Sequence, residues 1–344
     1  MQTKKMNMKN FNKKAFAIFL MAISTISVAF AQGYGVTVFG TDIISKEEVV
    51  KNCKDELQTL KTLYDSDRDA YKTKKVKLES KLLTLGDFAY ANVRLFKSYT
   101  NDYDFIIDYV ETKEAKTRLN YRTIHTKHFD DPDGLIAKWQ EYEELSYQLF
   151  KDGEINDYSC PVIHCLWSFN HPKLEPYLEA INKYAPKHKD ELINILNTSE
   201  SADQRASAAF LLAHAEMSNE ELLQTLMPSI RDAESSVRNN SMRVIYYITR
   251  AFPDMKFNIS KIIDALDFPS FTDRNKALVI LRSIPLDNLK KEDAKRLAEI
   301  LIEILEKKDA HNYKNAHTVI KKWSQKNYGE DDIESWKKWA ESNY

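Results

Sequence analysis

Apolar residues return at three- and four-residue steps along most of this chain, and the rhythm is clearest beyond residue 171. Leu192, Ile193, Ile195 and Leu196 make one stripe, and Leu222, Leu223, Leu226 and Ile230 a second. Ile259, Ile262, Ile263 and Leu266, then Leu297, Ile300, Leu301, Ile304 and Leu305, make two more. Each stripe predicts an amphipathic helix with one buried face. After each comes a polar turn with an acid, then a basic residue, then a small residue three positions on. The copies are "DQRASAAFLLAHA", "SVRNNSMRVIYYITR", "TDRNKALVILRSI" and a worn "HNYKNAHTVIKKW". Arg205, Arg238 and Arg274 stand 33 and 36 residues apart, and Ala208, Ser241, Ala277 and Ala316 stand 33, 36 and 39 apart. Such self-similarity predicts stacked helix pairs, because one pair alone could not bury both stripes.

Upstream the pattern is less regular. "SKEEVVKNCKDELQTLKTLY" opens with a capping box, Ser45 to Glu48, and sets Val49, Val50, Cys53, Leu57, Leu60 and Leu63 near one helical face. Further helices are expected around Lys77–Tyr90 and Asn92–Val110. "AKTRLNYRTIHTKHF" then alternates apolar and polar positions, which predicts a short strand or an extended link. The Asp-Pro-Asp-Gly step at 131–134 is turn and cap chemistry for a helix from Leu135 to about Phe150. A calcium loop there would need carboxylates where Phe129 and Gln140 stand. "HPKLEPYLEAINKY" adds a helix with Leu174, Tyr177, Leu178 and Ile181 on one face, and "DDIESWKKWAESNY" a short final one carrying Trp336 and Trp339. With Trp323, these tryptophans suit a cap over the last pair; a sugar-stacking surface is the alternative.

The repeated step resembles HEAT repeats, most closely in "DAESSVRNNS" and well in "DQRASA", with Tyr313 departing from the arginine position in the last copy. The resemblance covers residues 171–325. It implies an all-α fold, a right-handed α-α superhelix or HEAT-like solenoid, preceded by an irregular helical N-terminal region. It further implies that Arg205, Arg238 and Arg274 pair with acids in a ladder joining adjacent repeats. The expected organisation is a signal peptide at 1–31, a short strand or ordered tail at 32–44, a helical region at 45–158, repeats at 159–325 and a capping helix at 326–344.

Composition supports the helical reading, since only seven glycines occur and three of them, Gly33, Gly35 and Gly40, fall before residue 41. Their spacing lacks the Lys-Ser/Thr that closes a phosphate loop. Lys4, Lys5, Lys9, Lys13 and Lys14 precede the apolar run "AFAIFLMAISTISVAF" and the step Ala29-Phe30-Ala31, the layout of a secretory signal peptide. The expected product is exported, periplasmic or extracellular, with no membrane span after cleavage. Losing five lysines and no acid takes the net charge from −1 to −6. That acidity argues against a nucleic-acid partner, whose phosphates need a basic face.

The remaining candidate chemistry is "CPVIHCLWSFNH", which gathers Cys160, His164, Cys165 and His171 in a chain with three cysteines. Zinc would have to accept adjacent His164 and Cys165 on one tetrahedral ion, and a Cys–His dyad has no third group to orient it. A Cys160–Cys165 disulfide, with Pro161 allowing the turn before a helix near Val162, and two reduced cysteines in a buried helix both remain open. So does a bridge from either to Cys53. The expected function is a scaffold that binds a protein or peptide in its groove, without catalysis, cofactor or metal. Arg243, Tyr247, Lys276 and Arg282 are the candidate groove contacts. The alternative is an enzyme or metal-binding protein using Cys160–His171, either hydrolytic or like the bilin lyases that some HEAT-like proteins resemble.

Overall fold

The computed structural model describes residues 33–97, 102–160, 162–309 and 312–344. The expected signal peptide, Pro161 and the start of the 32–44 segment lie outside the described residues. Most of the described chain is helical, with fourteen α-helices beside one three-stranded sheet. The all-α expectation is corrected by that sheet.

The N-terminal part runs β1 (Tyr34–Phe39), α1 (Lys46–Leu63), α2 (Arg68–Leu83), β2 (Phe88–Lys97), β3 (Tyr103–Glu111) and the short α3 (Ala115–Arg118). Ser45 opens α1 by accepting from the Glu48 amide at 3.2 Å while Glu48 accepts from the Ser45 amide at 2.9 Å. Val49, Cys53, Leu57 and Leu60 form its buried face. In the sheet β3 is central, parallel to β1 and antiparallel to β2. Helix was expected through Tyr90 and again from Asn92 to Val110; instead α2 stops at Leu83 and two antiparallel strands follow.

The physical reason is that β3 is covered on both sides. Phe105, Ile107 and Tyr109 pack with Val93 and Leu95 against Leu57, Leu78 and Leu82 of α1 and α2. By strand alternation Ile106, Asp108 and Val110 face the other way, towards the helices downstream. Burial is therefore unbroken from Phe105 to Glu111. A strand buried on both faces loses the apolar–polar alternation that distinguishes it from a buried helix.

After α3 the chain is extended across the helical array, with the Arg122 amide on the Arg231 carbonyl at 2.7 Å and a parallel bridge between Lys127 and Ser199. Asp131 then caps α4 (Leu135–Lys151) by accepting from the Ile136 and Ala137 amides at 2.7 and 2.9 Å. Leu135, Ile136, Trp139, Tyr142 and Leu149 of α4 join one core that continues to Trp336 and Trp339. The smaller core beneath the sheet, α1 and α2 is separate from this one, although Phe39 of β1 joins the larger core.

That second core is built from α5 (Glu175–Tyr184) and four helix pairs. The pairs are α6 (Lys189–Thr198) with α7 (Ala202–Leu211), α8 (Asn219–Leu226) with α9 (Ser235–Ala251), α10 (Ile259–Leu266) with α11 (Phe271–Ser283), and α12 (Lys291–Glu306) with α13 (Tyr313–Ser324). The second helices pack in chain order, α7 on α9, α9 on α11 and α11 on α13. Ala208, Ser241, Ala277 and Ala316 are fully buried on these helices, where a larger side chain would hold neighbours apart. The final α14 (Ile333–Asn343) lays Trp336 and Trp339 against α12 and α13. Both are buried, and Trp323 stacks on Tyr344 with ring centroids 5.4 Å apart, so these tryptophans form a cap and not an open stacking surface.

Buried ion pairs bind successive second helices. Arg205 clasps Asp232 with two bonds of 3.0 and 2.9 Å, Arg238 Nε reaches Asp273 at 2.8 Å and Arg274 Nε reaches Asp309 at 2.8 Å. Arg274 also bonds Asp108 of β3 at 2.5 Å and lies 3.9 Å over the Phe39 ring of β1. Nearby, Arg118 of α3 donates to the carbonyls of Gly40 and Tyr109 at 3.1 and 3.2 Å. Gly40 has φ +81°, and a Cβ there would meet the Tyr109 carbonyl oxygen at 2.5 Å.

Removing one partner of a buried ion pair strands the other without water. Arg274→Ala is expected to lower the free energy of unfolding by about 3–5 kcal/mol. Arg282→Ala, at an exposed position, should change it by no more than about 0.5 kcal/mol. Urea denaturation of the two variants checks both values.

Candidate functional site

The stretch from Cys160 to His171 is irregular, so the helix expected near Val162 is absent among the described residues. Cys160 and Cys165 are joined as a disulfide with Cα atoms 5.6 Å apart, and Cys53 is a separate buried thiol whose pKa burial raises. Sulfurs in a disulfide supply neither a thiolate nucleophile nor a zinc ligand. His171 lies 3.5 Å from Glu154, and no group of three His, Cys, Asp or Glu side chains among the described residues could hold a metal ion.

His164 takes a different place. Its ring stacks on Phe210 of α7 with centroids 4.9 Å apart and leans on Tyr247 of α9 at 4.8 Å. It is 1% exposed, and neither ring nitrogen has a hydrogen-bond partner. Burial, helped by Arg243, His214 and Lys276, pulls its pKa down to about 3, so the ring stays neutral. The disulfide-closed loop thus lays a neutral, apolar-packed histidine on the face shared by α7 and α9. On the same side His214 accepts or donates at Asn182 over 3.0 Å, and burial holds it at about 4.

Three of the four candidate groove contacts gather around this ring. Arg243 and Tyr247 are one turn apart on α9, which places them on one face. Lys276 reaches the same neighbourhood from α11. Arg243 is half-buried; among the described residues it has no ion-pair or hydrogen-bond partner, and its Nε is enclosed. Burial lowers its pKa, opposed by Tyr247 and Glu143. Among the described residues Lys276 Nζ has one hydrogen bond, to the Asn275 side chain at 3.5 Å, and burial together with Arg243 pulls its pKa down to about 8. Arg282 is not part of the group, since it is exposed and donates to Asn315 of α13 at 3.0 Å.

Glu143 of α4 completes the cluster, and sequence reading passed over it. Burial pushes its carboxyl up to about 7, against the pull of the Trp139 indole N–H and Arg243, with Asp203 adding repulsion. The available signal was an acid one step from Trp139 and Tyr142 on the helix stripe, at the edge of the apolar face. The contrast with the buried ladder is sharp. Arg205, Arg238 and Arg274 each have their aspartate, whereas Arg243 and Lys276 lie near each other with no ion pair among the described residues, and the raised Glu143 carboxyl stands by Arg243.

Comparison of the chain with protein-family models, with curated proteins and with solved structures finds no match. No helix among the described residues is long and apolar enough to cross a membrane.

A lysine held near 8 in the folded protein and at about 10.4 in the unfolded chain has a definite pH signature. Between those values the unfolded chain binds more protons, so stability rises with pH. Lys276→Met removes this rise, and the difference between wild type and variant, followed by thermal melts from pH 7 to 11, should shrink to nothing at the alkaline end. The disulfide makes an independent contribution: replacing both Cys160 and Cys165 with Ser should lower stability by about 2 kcal/mol. Denaturant melts of that variant check the loss, and His164 should lose its shielding, seen as an imidazole titration moving up towards 6.5 by NMR.

Proposed function

We propose that this protein is an exported helical-repeat scaffold, a HEAT-like right-handed superhelix whose second helices line a groove for a protein or peptide partner, without catalysis of its own. The carrying observation is the pair Arg243 and Lys276, half-buried cations without an ion-pair partner among the described residues, on the face where α7, α9 and α11 meet. Crowding like charges in a partly dry site costs stability, and a partner's opposite charge would relieve it. The ordered packing of second helices and the arginine–aspartate ladder support the repeat reading. Export is supported by the basic, then apolar, start of the chain and by a disulfide, which persists in oxidising compartments. The acidic balance of the proposed mature chain weighs against nucleic acid as partner.

Affinity capture from the exported fraction of the source cells tests the reading. One specific protein should be retained by wild type and by Lys321→Glu, an exposed reversal on α13, and lost with the double variant Arg243→Glu, Lys276→Glu. Retention by all three, or by none, would refute a groove centred on this pair.

A further inference from the structure

The unpaired cations sit in a particular setting. Arg243 offers a planar fork of donors that suits a two-oxygen acceptor, and Lys276 adds a point charge beside it. Glu143 faces Arg243 from α4, Asp203 lies exposed at the start of α7, and His164 and His214 are neutral. Neither cation has an ion-pair partner among the described residues, so the pair suits an anionic group, and the fork of Arg243 matches the two oxygens of a carboxylate. Tyr247 is 36% exposed and is backed by the buried His164 ring, so an aromatic wall borders the cations.

We propose that Arg243 and Lys276 bind a carboxylate of a partner peptide, whose neighbouring apolar side chain packs on Tyr247. The assignment rests on the scaffold reading for the partner being a peptide, and adds which chemical group the groove recognises. Binding desolvates the two cations together with their counter-charge, so a carboxylate without an apolar neighbour binds less well. A neutral amide gains nothing from the cations.

The test is an NMR titration of the purified protein, following the Arg243 Nε–H and the Lys276 side-chain signal. The probes are N-acetyl-leucine, N-acetyl-leucinamide, acetate and inorganic phosphate. N-acetyl-leucine should move both signals saturably below about 50 mM and raise the Lys276 pKa by about one unit. The amide should leave both in place, and acetate should bind more weakly. Arg243→Gln should weaken N-acetyl-leucine about tenfold, with its fold checked by circular dichroism. Should that variant fail to fold, Lys276→Gln read at Arg243 gives the same comparison. No saturable shift, an equal response to the amide, or tighter binding of phosphate than of N-acetyl-leucine would each overturn the assignment. Because the probe needs no partner, a silent titration beside a captured partner sinks the carboxylate site alone. A clear titration with no captured partner sinks the scaffold reading alone.

Discussion

Arg274 is the point on which the two parts of the molecule depend. Its guanidinium is fully buried between Asp309 of the helical array and Asp108 of the sheet's central strand, and lies over Phe39 of β1. Two carboxylates and one cation leave a net negative charge out of water, and burial pushes Asp108 up to about 6 despite its partner. Such an arrangement is held by geometry and not by cheap electrostatics, because desolvation consumes most of the Coulomb gain. It therefore fixes where the sheet can sit. Only one docking brings Asp108, Phe39 and Asp309 around the same side chain, and Arg118, reaching Gly40, Tyr109 and Asp267, reinforces it.

The same residue chemistry has opposite consequences on another side of the same helices. Arg205, Arg238 and Arg274 are spent on aspartates supplied by the start of the next second helix, so each joins neighbours and leaves no charge to act outward. Arg243 stands five residues beyond Arg238, and Lys276 two beyond Arg274, so both point to a different side of their helices from the ladder arginines, near the loop closed by Cys160–Cys165. Packing shields them partly from water while nothing neutralises them. Tight ladder and unpaired cations thus occur on the same helices, the first joining neighbours and the second leaving charge unneutralised.

Much of the helical part was legible from spacing alone. The stripes from Leu192 to Leu305 fall on α6, α8, α10 and α12, and the capping box at Ser45 opens α1, because local patterns report local structure. The hairpin of β2 and β3 was misread for a reason that lies outside the segment. Phe105 to Val110 is apolar without alternation because α1 and α2 cover one face and the helical array the other. Of the candidate site, Arg243, Tyr247 and Lys276 were accessible as second-helix residues outside stripe and ladder. Glu143 was not, since only tertiary packing carries α4 to them across a hundred residues of sequence.

The sequence by itself determined the helix opened at Ser45, most helices beyond Leu135 and the small residues that let second helices approach, all of which depend on periods and neighbours within a few turns. Tertiary structure alone decided the sheet, the Cys160–Cys165 pairing, the burial of His164 and which arginines are satisfied. Those outcomes depend on desolvation and on charges brought together from distant segments, and no local pattern encodes whether a given guanidinium will find its carboxylate.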